Sequence, residues 1–380
     1  MLYFDHNATA PLLPEAREAW LDASKNYPGN PSSQHRLGSR ADTALQSARL
    51  RLAEFLGCDA FDIIWTSGGT ESNNTVLHHF GRTLAPEREV WVSDLEHPSM
   101  LETANRWFGP RMRRLPAERN GTVSLPCLRQ ELPRNRPGFI AVMAANNETG
   151  VLQPWQDILE LCRRHDVPFF CDAVQWIGKM PAAGLGQCDF VSGCAHKFGG
   201  PRGVGFLKCP SGIALEPLIQ GGPQEEGRRA GTENVAAAVS MVAALEAREK
   251  AMQAGEHDQR AEWRNRFERE MMNRLPGSEV VGIRAPRLWN TVSALMPEAD
   301  CQHRWVVKLD KLGFAVSTGS ACASGREESS HVLTAMGFST AESSRVLRFS
   351  SGWETTEDEW QKLLDGLEKV QADAATPMEA

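Results

Sequence analysis

The sequence predicts an α/β protein, a mostly parallel sheet with helices on both faces, followed by a small α+β C-terminal domain. Two observations carry the first part. Short apolar runs alternate with longer amphipathic stretches between about residues 40 and 240, the order expected of strands joined by helices. The runs are apolar throughout rather than at every second residue, as in strands covered on both faces. A third observation divides the chain. Ala236–Arg274 is rich in Ala, Glu, Arg and Met and reads as a long helix interrupted at Gly255.

In chain order, the expected strands are Ile63–Thr66, Val90–Val92, Phe139–Met143, Val167–Cys171, Phe190–Val191 and Val204–Leu207. Helical patterns fall at Glu71–Phe80 and Trp155–Arg164. The basic stretch Arg111–Arg114 reads as a solvated loop. Beyond Pro276 the elements become shorter, and the last helix is expected near Thr356–Ala372. The large domain is placed at 15–255, and the small one at 1–14 with 256–380.

With 380 residues the chain can bury a large core without disulfides or a metal. Its net charge of −7 lacks the basic footprint of a nucleic-acid binder. No apolar run is long enough to span a bilayer. The start, MLYFDHNATAP, has no secretory pattern, so a cytoplasmic protein is expected. Nine cysteines show neither a CxxC pair nor a zinc-ligand spacing. No metal site is expected, and most of the thiols should be buried, reduced and inert.

Ligands of open α/β sheets bind beyond the carboxyl ends of the strands, so the residues there carry the chemistry. Gly68-Gly69-Thr70 opens a helix, where backbone N–H groups and a hydroxyl can cradle phosphate or merely form a capped turn. His97 follows the next strand as an aromatic-stacking candidate or a surface histidine. Asn146-Asn147-Glu148-Thr149-Gly150 is unusually polar for the end of a buried strand. Asp172 and Gln175 follow a buried strand, where a carboxylate needs a strong donor. Cys194-Ala195-His196-Lys197 closes the series. A phosphate cradle, a stacking His, a buried Asp and a Lys together match the needs of pyridoxal 5'-phosphate: a covalent lysine, a carboxylate at the ring nitrogen and a helix N-terminus for the phosphate. In the small domain, Cys322 lies in STGSACASG, a run of small residues suited to an exposed reactive thiol on a pliant 317–330 loop. Arg348 interrupts an apolar strand and should grip a carboxylate.

These segments resemble the cysteine desulfurases of the NifS/IscS type, in the class-V aminotransferase-like enzymes of fold type I. The resemblance runs nearly end to end through DHNATAP (Asp5–Pro11), GNPSSQH (Gly29–His35), SGGTESNN (Ser67–Asn74), Glu96–His97, NNETG (Asn146–Gly150), DAVQ (Asp172–Gln175), His196–Lys197, RAGTEN (Arg229–Asn234), STGSAC (Ser317–Cys322) and RFS (Arg348–Ser350). It implies that Lys197 holds the cofactor covalently, Asp172 pairs with the ring nitrogen, Gln175 bonds the ring oxygen and His97 stacks on the ring. Gly69, Thr70 and His196 would bind the phosphate, with the Cys194 position and with Thr232 of a second subunit in a homodimer. Asn147 and Arg348 would orient the substrate carboxylate, and Cys322 would take sulfur from L-cysteine, leaving L-alanine. The persulfide would pass to an acceptor protein, iron–sulfur cluster biogenesis being one destination. Selenocysteine lyase or another class-V enzyme is the alternative. Cys194 stands where the family usually has Ser, a stronger donor, and Trp353 where it often has Arg.

Overall fold

Odd and even residues of the central strands part to opposite faces of one sheet, and each face has its own core. In the computed structural model, which describes residues 1–298, 305–318 and 329–375, Ile63, Trp65, Phe169, Cys171 and Phe206 join one buried cluster. Ile64, Phe170, Phe190 and Leu207 join another. That division is the two-residue period of a pleated strand. The first cluster is completed by helices Arg36–Leu56, Trp155–Arg164 and Val235–Gln253. The second is completed by Gly69–Thr83 and Pro98–Phe108. The sheet is therefore covered on both sides, as its continuous apolar runs require.

The strands are β1 (Leu2–Tyr3), β2 (Ile63–Thr66), β3 (Val90–Ser93), β4 (Met112–Leu115), β5 (Ile140–Ala141), β6 (Phe169–Asp172), β7 (Phe190–Cys194), β8 (Gly205–Lys208), β9 (Glu279–Val280), β10 (Thr291–Leu295), β11 (Phe314–Ala315), β12 (Ser317–Thr318) and β13 (Val346–Ser350). Among the described residues the large sheet has the order β2-β8-β7-β6-β5-β3-β4. Its neighbours run parallel except β8, which is antiparallel to both β2 and β7. The carboxyl ends of β2, β3, β5, β6 and β7 consequently meet along one edge.

Arg111–Arg114 corrects the reading of the sequence. Met112–Leu115 is the edge strand β4, not a loop. Arg113 pairs with Glu131 and lies over Trp91, and Arg114 pairs with Asp94. Charged residues suit an edge strand because they discourage further pairing. The expected long helix is two, Val235–Gln253 and Glu256–Arg274, separated at Gly255 with φ of 74°.

A separate core gathers Phe4, Phe267, Met271, Val292, Leu347, Phe349, Trp360, Leu363 and Leu367. It covers the sheet β12-β13-β10-β9. The chain start joins it, because β1 pairs in parallel with β11 and Asp5 bridges to Ser350. This pairing carries residues 5–10 to the edge where the large-sheet strands end.

Candidate active site

The segments after β2, β3, β5, β6 and β7 line one cavity of about 290 Å³. Gly69, Thr70, His97, Asn147, Asp172, Gln175, Cys194, His196, Lys197 and Arg348 all border it. Thr232 is exposed on the segment before helix Val235–Gln253 and does not border it. Cys322 lies outside the described residues.

The cavity begins at a helix N-terminus. Helix Gly69–Thr83 starts at Gly68, whose φ of 154° lies in a region that side chains avoid. A Cβ at Gly205 would stand 2.6 Å from the Cα of Gly68, so β8 passes against this turn because residue 205 carries no side chain. The first turn of the helix offers N–H groups and the Thr70 hydroxyl to an anion.

Asp172 ends β6 with its carboxylate buried. Its Oδ1 accepts from the Val174 N–H at 3.0 Å and its Oδ2 from Asn73 Nδ2 at 2.8 Å. Asn73 also donates to Ser99 Oγ at 3.0 Å. Ser99 in turn lies 2.9 Å from His97 Nδ1 and donates its backbone N–H to the same nitrogen at 3.1 Å. A ring nitrogen that accepts leaves the proton of neutral imidazole on Nε2. Burial lowers the His97 pKa, and Lys197 and His331 add to this against the opposing pull of Asp172. His97 is thus a neutral ring at neutral pH, held from the N-cap of helix Pro98–Phe108.

Lys197 follows β7 in a short 3-10 turn, and its Nζ donates to the carbonyls of Asn7 at 2.7 Å and Ala8 at 2.9 Å. Beside it, burial pushes the Cys194 thiol up to about 11, so it stays protonated. Burial and the charge of Lys197 lower His196 to about 4. Among the other described cysteines, burial raises Cys58 to about 11 and Cys162 and Cys209 to about 12. These are packing thiols rather than nucleophiles.

Arg348 is 2% exposed on β13. Its Nη2 donates to Asp5 Oδ1 at 2.7 Å and its Nη1 to the Asn147 carbonyl at 3.0 Å. Its Nε is buried with no partner among the described residues. Asp5 is the carboxylate that a buried guanidinium requires.

Sequence reasoning missed Asn7, Asn73, Ser99 and Asp5. Asn73 was within reach, since it lies one helical turn beyond Gly69 and shares its face. Asn7 and Asp5 were not, because only the β1–β11 pairing brings them here.

The aminotransferase class-V family model matches residues 2–363. A cysteine desulfurase of Cereibacter sphaeroides is 37% identical over 374 residues, covering 97% of this chain and 95% of that protein. The chain belongs to the cysteine desulfurases of aminotransferase class V. The cysteine desulfurase IscS of Dictyoglomus turgidum is also 37% identical, over 97% of this chain and 94% of its own length. A solved NifS-like protein superposes with a TM-score of 0.88 at 29% identity, covering 98% of this chain and 99% of that one.

The desulfurase is a pyridoxal-phosphate-dependent enzyme, and the cavity fits that group. It joins a helix N-terminus, a buried carboxylate with its own donors, a neutral imidazole and a lysine amine in one space of about 290 Å³. The unpartnered Nε of Arg348 adds an unused donor on the same lining. A Cβ at Gly69 would meet Val174 Cγ2 at 2.6 Å, so no side chain fits between the helix start and the DAVQ turn.

Proposed function

We propose that this cavity converts L-cysteine to L-alanine and passes the sulfur to Cys322, which hands it to an acceptor protein. The observation that carries the proposal is that Lys197 and Asp172 border the same cavity on the ends of adjacent strands β7 and β6. When bound, pyridoxal phosphate supplies an electron sink that stabilises negative charge at the carbons of the attached amino acid.

Lys197 would hold the cofactor covalently, and its free amine would take the substrate's Cα proton on Nζ. Asp172, held in place by Asn73 and the Val174 N–H, would pair with the ring nitrogen. Gln175 meets the ring oxygen, and His97 lies against the ring face. Gly69, Thr70, Cys194 and His196 surround the phosphate, and Thr232 of a second copy reaches the same group in a homodimer. Arg348 and Asn147 orient the substrate carboxylate. The thiolate of Cys322 attacks the substrate sulfur. The Cβ–S bond breaks with its electron pair left on carbon, which takes a proton and becomes the methyl group of alanine.

In this reading the division expected from the sequence holds, with 15–255 binding the cofactor and 1–14 with 256–380 carrying the Cys322 loop. No helix among the described residues is long and apolar enough to cross a membrane, in line with a cytoplasmic enzyme. Iron–sulfur cluster assembly is a destination for the sulfur. The test is the stoichiometry of alanine and sulfide released from L-cysteine with a reductant. Equal release, lost in Lys197→Ala, supports the reading, and turnover that survives Lys197→Ala overturns it.

A further inference from the structure

One buried lysine takes no part in the scheme above. Lys179 is 2% exposed, and its Nζ donates to Asn7 Oδ1 at 2.7 Å and to Gln175 Oε1 at 2.5 Å. No carboxylate forms a salt bridge with it among the described residues. Burial, reinforced by Lys197 and Arg348, holds its pKa well below the usual lysine range. Its backbone is fixed from the other side. Trp289 Nε1 donates to the Lys179 carbonyl at 2.8 Å and Trp353 Nε1 to the Gly178 carbonyl at 3.0 Å. The two indoles meet edge to face at 4.6 Å.

The bonds around Lys179 form one network with a single consistent direction. Asn7 Nδ2 donates to the Asn147 carbonyl at 3.2 Å and to Thr291 Oγ1 at 2.9 Å, while Thr291 spends its own proton on Asn290 Oδ1 at 2.8 Å. The oxygen of Asn7 must therefore face Lys179. Gln175 is held at both ends of its amide. Its Oε1 accepts from Lys179, and its Nε2 donates to the Asn7 carbonyl at 2.9 Å, the same oxygen that receives Lys197 Nζ. Gln175 borders the cavity, so its second Nε2–H is the polar group it can offer there.

We propose that Lys179 is a positioning residue that locks the Gln175 amide with its N–H edge toward the cofactor's ring oxygen and its carbonyl edge away. The proposal rests on the reading of Gln175 as the ring-oxygen contact. Without Lys179, Oε1 loses its donor and the amide can turn over, setting a carbonyl against a negatively charged oxygen.

The test is a double-mutant cycle on the pyridoxal-phosphate-loaded enzyme, read as the pH midpoint of the cofactor's visible absorption. Lys179→Met is expected to move the midpoint in the same direction as Gln175→Ala. Added to Gln175→Ala, it is expected to move it no further. A Lys179→Met midpoint equal to wild type overturns the proposal, as does an equal shift in both backgrounds, the mark of a merely structural role. Gln175→Ala with an unmoved midpoint overturns it through the Gln175 reading itself. Should Lys179→Met not fold, Lys179→Leu carries the same comparison, since it also removes the donor while filling most of the space.

Discussion

Asn73 Nδ2 donates to Asp172 Oδ2 at 2.8 Å, and through Ser99 the same amide is tied to His97. The carboxylate proposed for the ring nitrogen and the imidazole proposed for the ring face are therefore placed by one side chain of helix Gly69–Thr83. A donor to a buried carboxylate contributes about 1.5–3 kcal/mol. Asn73→Leu should weaken cofactor binding roughly tenfold to a hundredfold, measured by titrating apoenzyme with pyridoxal phosphate. Wild-type affinity would show that Asp172 needs no help from Asn73.

Arg348 and Asp5 form a second pair that can be tested separately. Arg348 is buried and Asp5 partly so, and removing Asp5's charge leaves a buried guanidinium without its counterion. Arg348→Ala should lower both the melting temperature and kcat/KM for L-cysteine. Asp5→Asn retains an acceptor for Nη2, so it should lower the melting temperature less and leave most of the activity. Equal losses of activity in both variants would mean that Arg348 serves the fold alone.

Glu148 gives a pH signature. Burial raises its pKa from 4.5 to about 7, against the lowering influence of the Ser330 hydroxyl and Arg348. A raised carboxyl favours the folded state while protonated. Its contribution is full below pH 4.5 and is lost as pH rises to about 7. Relative to Glu148→Gln, the wild-type protein should therefore lose stability across that window and run parallel above it. Urea unfolding from pH 4.5 to 8 checks this, and parallel curves throughout would contradict it.

Arg49 and Glu225 make a buried bidentate pair at 2.7 Å, and Glu225 Oε2 also accepts from the Trp65 N–H at 3.0 Å. Glu225→Ala should destabilise by about 3–5 kcal/mol. Arg49→Met with Glu225→Met together should cost less than Glu225→Ala, because no charge is left unpaired. Denaturant midpoints of the variants decide between pairing and simple side-chain packing.

Much of this was legible in the sequence because it is local. Ile63–Thr66 and Trp155–Arg164 fold as their patterns predict, and each polar cluster after a strand reaches the cavity edge. What was hidden depends on contacts between distant segments. Asn7 meets Lys179, Gln175 and Lys197 only because β1 pairs with β11 and Asp5 bridges to Ser350 of β13. The edge strand Met112–Leu115 was masked by its arginines, whose partners Glu131 and Asp94 lie on other segments. Asp5, which completes Arg348, is 343 residues away in the chain.

The most direct test of sulfur transfer is mass spectrometry of the peptide containing Cys322 after brief exposure to L-cysteine without reductant. The expected result is one added sulfur atom on Cys322 in the wild-type enzyme, and none on any thiol in Cys322→Ala, which keeps its visible cofactor absorption. Added sulfur on Cys194 or another cysteine, or alanine formation undiminished in Cys322→Ala, would contradict the assignment.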